Sequence, residues 1–260
     1  MSISGWRAPS LHRFPRRASS PAEARALRIE IVIVLAVTLG LQGFYSAISF
    51  TEALLAPAAL AEQSVALNAS RSPTGLIDFL RQLAGALRLL AWAALGGYLL
   101  WRGGALDRAR QYLRPRAPDL LPGVVLAALI GLPGLALYFG GRALGITIEV
   151  VPADLPEAWW SLPMLVLAAI ANSAAEEILV VAYLLLRLHQ LGVRPWAAVA
   201  VSAALRGLYH LYQGIGSFGG NIIMGIIFAR YFQATSRIWP LVVAHALIDV
   251  VAFVGYATLW

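Results

Sequence analysis

Hydrophobic runs of eighteen or more residues recur along this chain, each long enough to cross a hydrocarbon core of about 30 Å. In that solvent every backbone N–H and C=O must find its partner inside the segment or in a closed barrel, and runs of this length select the helix. Composition agrees. The 260 residues are 60% hydrophobic and 13% charged, whereas soluble domains carry about 25% charged residues, and mean hydropathy is +0.73. The expected fold class is all-α, a polytopic membrane helix bundle with about seven transmembrane helices.

The net charge of +7 does not point to nucleic acid, because the basic residues are all Arg and concentrate in the N-terminal tail and in alternate loops. That is where positive charge sets membrane topology. The lack of Lys fits a GC-rich coding bias and hence a bacterial plasma membrane. With no Cys there is no disulfide, thiolate zinc site or thiol nucleophile.

Taken in order, residues 1–27 read as a disordered basic cytoplasmic tail, followed by a single transmembrane domain over 28–260. The first apolar run, Ile31 to Phe50, exceeds the 7–15 residues of a signal-peptide core and is read as a retained helix. Further spans are expected at Ile77–Trp101, Leu120–Gly140 with a kink at Pro133, Leu162–His189, Pro195–Gln213, Phe218–Tyr231 and Trp239–Tyr256. Arg102, Arg108, Arg110, Arg114 and Arg116 mark one short loop as cytoplasmic, and Gly216 with Gly220 has the spacing of a close helix contact.

One segment resists this simple pattern. In AAEEILVVAYLLLRLHQ, Glu176 and Glu177 stand together in an otherwise apolar stretch, where each charge costs roughly 2.5–3.5 kcal/mol on insertion scales. Some partner elsewhere must make that tolerable. The chain has four His. His12 lies in the tail and His189 at a helix end, but His210 in LRGLYHLYQ and His245 in VVAHALIDVV lie within spans. Asp249 follows His245 on the same helical face, and Arg206 precedes His210 by one turn. At 1.5 Å per residue, Glu176, His210, His245 and Asp249 sit at depths of about 17, 22, 12 and 18 Å, so they can meet near mid-membrane. Asn172 and Ser173 extend a polar stripe from the doublet. Single polar residues such as Asn172, Ser202, Asn221, Tyr209 and Tyr212 read as structural links between helices. Arg81 and Arg88 could snorkel or pair with Asp78. Two Glu, two His, an Asp and an Arg at similar depth instead mark a functional site.

The doublet Glu176–Glu177, the later His210 and the sequence HALID together resemble the CAAX protease and bacteriocin-processing (CPBP) family of intramembrane endopeptidases, whose motifs are EExxxR, FxxxH and HxxxN or HxxxD. The resemblance covers about residues 160–256 and keeps motif order. Val181 stands where the arginine of the first motif is expected, and Arg206 where the phenylalanine of the second is. It implies an endopeptidase in which Glu176, with His210, activates a water, while His245 and Asp249 stabilise the oxyanion and Glu177 completes the acid pair. Asp249 could donate to that oxyanion only when protonated; ionised, it would orient His245. Arg206 would supply the cation absent at Val181 and neutralise Glu177.

A metal-free mechanism is favoured, with no cofactor. A Zn²⁺ variant would use Glu176, His210 and His245, leaving the other carboxylate as base, but there is no HExxH pair. The expected partners are the lipid bilayer and a peptide or membrane-protein substrate, such as a prenylated CAAX tail or a bacteriocin-like peptide. Three non-enzymatic readings stay open: a proton-coupled transporter, a bis-histidine haem protein and a catalytically inactive peptide-binding relative.

Overall fold

The computed structural model describes residues 14–104 and 114–259, with side chains to residue 255. Eight helices form one bundle: α1 (Pro21–Val37), α2 (Leu39–Leu55), α3 (Gly75–Arg102), α4 (Leu120–Ala143), α5 (Ser161–Gln190), α6 (Pro195–His210), α7 (Ile215–Thr235) and α8 (Trp239–Leu259). Four of these, α3, α4, α5 and α7, are long and apolar enough to cross a membrane, and a fifth span arises if α1 and α2 count as one bent pair. Each of the seven expected spans corresponds to helix, although α6, at 16 residues, and α8, apolar over Trp239–Gly255, fall short of that test.

The first span departs from expectation in both its start and its line. Helix begins at Pro21, where Ser20 Oγ accepts from Glu23 N and Pro fits the first turn. It then bends by 49° at Thr38, whose hydroxyl donates to Val34 O at 2.6 Å, a back-bond that bends helices. Residues 14–20 also pack: Phe14 is buried against His189 and Phe232, and Ala18 N donates to Gln190 O. The tail expected over 1–27 therefore does not extend to residue 27, and residues 1–13 lie outside the described chain. So do Arg108 and Arg110 of the arginine-rich loop. Helix α4 continues through Pro133 as one element.

The bundle is built around α5. Two thirds of its apolar window (67%) is buried, against 11–39% for the other spans. Leu179 to Leu186 pack without exposure above 1% against Phe228 and Phe232 of α7, Leu241 and Ala244 of α8, and Val199 of α6. Outward-facing residues such as Val32, Phe44, Leu129, Leu132 and Val251 stay exposed on the perimeter, where lipid would solvate them. Within α5, residues Glu177–Tyr183 form a π-helical turn. Its wider ring is braced by Ser202 Oγ of α6, which donates to Val180 O at 2.7 Å. Segments of this kind concentrate at functional sites.

Close approach of α6 and α7 depends on Gly207 and Gly225, not on the Gly216 and Gly220 spacing. A Cβ on Gly225 would meet Ala203 Cα at 2.9 Å and Arg206 Cδ at 3.3 Å; Gly220 instead faces Leu137 and Gly216 faces Thr147. At one end of the bundle a small parallel sheet pairs β1 (Ser64–Ala66) with β2 (Glu149–Val151), in register Ser64 to Glu149. An antiparallel bridge from Thr147 to Gly214 ties this end to the α6–α7 turn, where Gly214 takes φ +99°. Asp78 is buried there and accepts from Arg71 N, Ser70 Oγ and Gln82 Nε2; it pairs with neither Arg81 nor Arg88.

At the opposite end Arg187 knots three helices. Its Nε donates to Glu30 at 2.8 Å, one terminal nitrogen to Gln190 and the other to Leu99 O. Tyr183 donates to the same Glu30 oxygen. Arg187→Leu is expected to lower stability by about 3–5 kcal/mol, because it strands a half-buried carboxylate and a carbonyl at once. Thermal unfolding in detergent checks this.

Candidate active site

The acid doublet lies at the junction of the regular and π-helical parts of α5, with Glu176 3% and Glu177 0% exposed. The cation that answers it comes from α6. Arg206, wholly buried, directs one terminal nitrogen to Glu177 Oε1 at 2.6 Å and the other to Glu176 Oε2 at 3.3 Å. A planar guanidinium offers a fixed fork of donors that can meet two carboxylates in this way. Its carbon lies 5.5 Å from the Phe228 ring centre, adding a cation–π contact. The expected pairing of Arg206 with Glu177 is thus present, and it extends to Glu176. Val181 is buried in the apolar core.

The two carboxylates are wired differently. Both short contacts to Glu177 fall on Oε1, from Arg206 and from His245 Nδ1 at 2.7 Å, while Oε2 is buried with no hydrogen-bond partner among the described residues. Contacts to Glu176 converge on Oε2: the Tyr209 hydroxyl donates at 2.7 Å, Arg206 approaches, and His210 Nε2 lies 3.7 Å away. No hydrogen bond or ion pair among the described residues falls on its second oxygen, Oε1.

The histidines enter from α6 and α8. His210 is the last residue of α6; Gln213 Nε2 holds it at Nδ1, 3.2 Å away, and also donates to Tyr212 Oη. Its Nε2 is buried and unpartnered among the described residues, facing Glu176. His245 lies between carboxylates, with Glu177 at Nδ1 and Asp249 Oδ2 3.6 Å from Nε2. Asn172, one turn before the doublet, donates to that same Asp249 oxygen at 3.1 Å.

All six residues singled out from the sequence, Glu176, Glu177, Arg206, His210, His245 and Asp249, therefore gather in one place. His189 does not; it packs against Phe14. Two further members were read as structural. Asn172 anchors Asp249, and Tyr209 anchors Glu176. Tyr209 carried a usable signal, since it follows Arg206 by three residues and so shares its helical face. Ser173 and Asn221 bond within their own helices, to Ile170 O and Ser217 O.

The donor set brought within metal-binding reach differs from the expected trio. Glu176, Glu177 and His245 each offer one atom, all within 4.8 Å of one another; Glu177 stands in place of His210. Two carboxylates and an imidazole are chemically able to hold a divalent ion. Arg206 already lies on both of those carboxylates, so a metal would meet a fixed positive charge at hydrogen-bond distance.

Chemically, this is a buried acid–imidazole pair beside a second acid–imidazole pair, joined by one guanidinium. Such a set can accept and return a proton at Glu176 and present donors from a second side. Residues 158–251 match the family model for type II CAAX prenyl endopeptidase Rce1-like proteins. No curated protein and no solved structure matches the chain. The matched stretch holds the doublet, both site histidines and Asp249, and it overlaps the stretch whose motifs carry the CPBP resemblance: over residues 158–251 this chain is similar to the Rce1-like type II CAAX prenyl endopeptidases.

Proposed function

We propose that this protein is an intramembrane endopeptidase that hydrolyses a peptide bond with a water activated by Glu176 and His210. The observation that carries this reading is the asymmetry of Glu176: its contacts converge on Oε2, so Oε1 is the atom that can accept a proton from water. The hydroxide adds to the substrate carbonyl carbon and the carbonyl oxygen becomes an oxyanion. His245, through Nε2, and Asp249 flank the space where that oxyanion is stabilised. Glu176 then returns its proton to the leaving amine, the C–N bond breaks, and a carboxylic acid and an amine are released. Arg206 and Glu177 keep the charges balanced throughout; neither needs to exchange a proton.

The match of residues 158–251 to the Rce1-like family model favours peptide substrates, prenylated C-terminal CAAX tails and membrane-protein segments among them. The orientation read from the arginines places the N-terminus in the cytoplasm, and the lack of Lys favours a bacterial plasma membrane. The test is cleavage of a panel of farnesylated and unmodified peptides and of membrane-protein segments by purified protein in liposomes. Wild type is expected to cut at least one class, and Glu176→Gln none. Binding without cutting would support the inactive-relative reading instead.

A metal-dependent reading has one favouring observation, the Glu176–Glu177–His245 group within 4.8 Å. Zn²⁺ held there would lower the pKa of a bound water. We favour the metal-free form because Arg206 neutralises the same carboxylates. Activity is expected to survive 1,10-phenanthroline and EDTA; loss of cleavage with recovery on adding Zn²⁺ would reverse that preference.

A further inference from the structure

Tyr209 has no part in the proposed chemical steps, yet it touches both halves of the proposed base. Its hydroxyl donates to Glu176 Oε2 at 2.7 Å, shorter than either other approach to that oxygen. Its ring lies 4.8 Å, centre to centre, from the His210 ring. The side chain is 5% exposed, at the last turn of α6 just before the 3-10 segment Leu211–Gln213. A buried hydroxyl of this kind must be satisfied, and the acceptor it has is the carboxylate itself, not a backbone carbonyl.

Resting on the endopeptidase reading, we propose that Tyr209 is a positioning residue: it fixes Glu176 through Oε2, turns Oε1 toward the water, and holds the His210 ring at the same carboxylate. Arg206 cannot do this alone. Its shorter bond goes to Glu177, and its 3.3 Å approach to Glu176 leaves that carboxylate free to rotate about its terminal torsion. A second donor on the same oxygen removes that freedom. Rotation would exchange the two oxygens and misplace the proton acceptor, and a displacement of about 1 Å at a reacting group can cost about 10²-fold in rate.

The test uses the full-length protein and whichever peptide the wild type cleaves. Tyr209→Phe keeps the ring against His210 and removes only the hydroxyl. It is expected to lower kcat about 10- to 100-fold and leave KM within about twofold. The pH of half-maximal kcat should also move, because the lost group touches the base itself. A kcat within about twofold of wild type, or a fall in kcat with an unmoved pH profile, overturns the proposal.

A substrate-free measurement separates this idea from the function it rests on. In a melting-temperature cycle of Tyr209→Phe, Glu176→Ala and the double variant, the two changes should be coupled by about 2 °C or more. Additive shifts overturn the positioning contact even if the wild type is an active enzyme. Coupled shifts in a protein that cleaves nothing support the contact and overturn the endopeptidase reading.

Discussion

Arg206→Ala should lower the stability of the bundle by about 3–5 kcal/mol. The guanidinium is completely buried and is the permanent cation between Glu176 and Glu177. Removing it leaves two carboxylates facing each other in a low-dielectric interior, and the penalty arises from those stranded charges more than from the lost attraction. Thermal unfolding in detergent micelles measures it. Because the cause is charge imbalance, Glu177→Gln in the Arg206→Ala background should recover part of the loss, whereas on its own it should destabilise. Arg206→Lys is expected to restore only part of the stability, since an ammonium lacks the planar fork that the guanidinium presents to the two carboxylates. A melting temperature for Arg206→Ala within about 2 °C of wild type would show that the doublet is held by something else.

The largest loss of activity should come from Glu176→Gln. Removing a general base costs typically 10²–10⁴-fold, and the amide conserves shape and can still accept the Tyr209 bond, so folding should be nearly unchanged. Glu177→Gln gives a useful contrast. Its short contacts are to Arg206 and His245, so its loss should disturb the oxyanion side and the fold, with a smaller effect on water activation. Steady-state kinetics of both variants on one substrate, with melting temperatures alongside, separate the two. If Glu177→Gln proves the more damaging to kcat and Glu176→Gln the milder, the base has been assigned to the wrong member of the doublet.

Much of this arrangement could be read before any coordinates. Hydrophobic length placed a helix in each expected span, because a bilayer-spanning backbone has few other options, but it read α1 and α2 as one straight helix and missed the start at Pro21. The site residues were visible because charge is costly in such segments, so Glu176, Glu177, Arg206, His210, His245 and Asp249 stood out individually. Other features left no trace. Strands of three residues, Ser64–Ala66 and Glu149–Val151, carry no detectable period. The bend at Thr38 depends on one hydroxyl turning back on its own helix. The π-helical turn that begins at Glu177 is not something regular helix arithmetic can anticipate. Tyr209 and Asn172 were passed over because a neutral polar residue inside a span is usually a link between helices; only the identity of the acceptor distinguishes a link to structure from a link to chemistry. Gly207 and Gly225 were overlooked for a similar reason, since the glycine that matters is the one opposite a neighbour's backbone, not the one with a familiar spacing.

The widened turn at Glu177–Tyr183 has one more consequence. A π-helical turn is equivalent to an ideal helix into which a single residue has been slipped, so it acts as a phase shift between the two arms of α5. Excising one residue from that turn would restore the ordinary pitch and swing the Ser161–Glu176 arm by about 100° relative to the Leu184–Gln190 arm. Arg187 could still reach Glu30, yet the carboxylates would no longer look toward α6. The rotational setting of the acids is therefore encoded in how many residues the helix contains as much as in which residues they are.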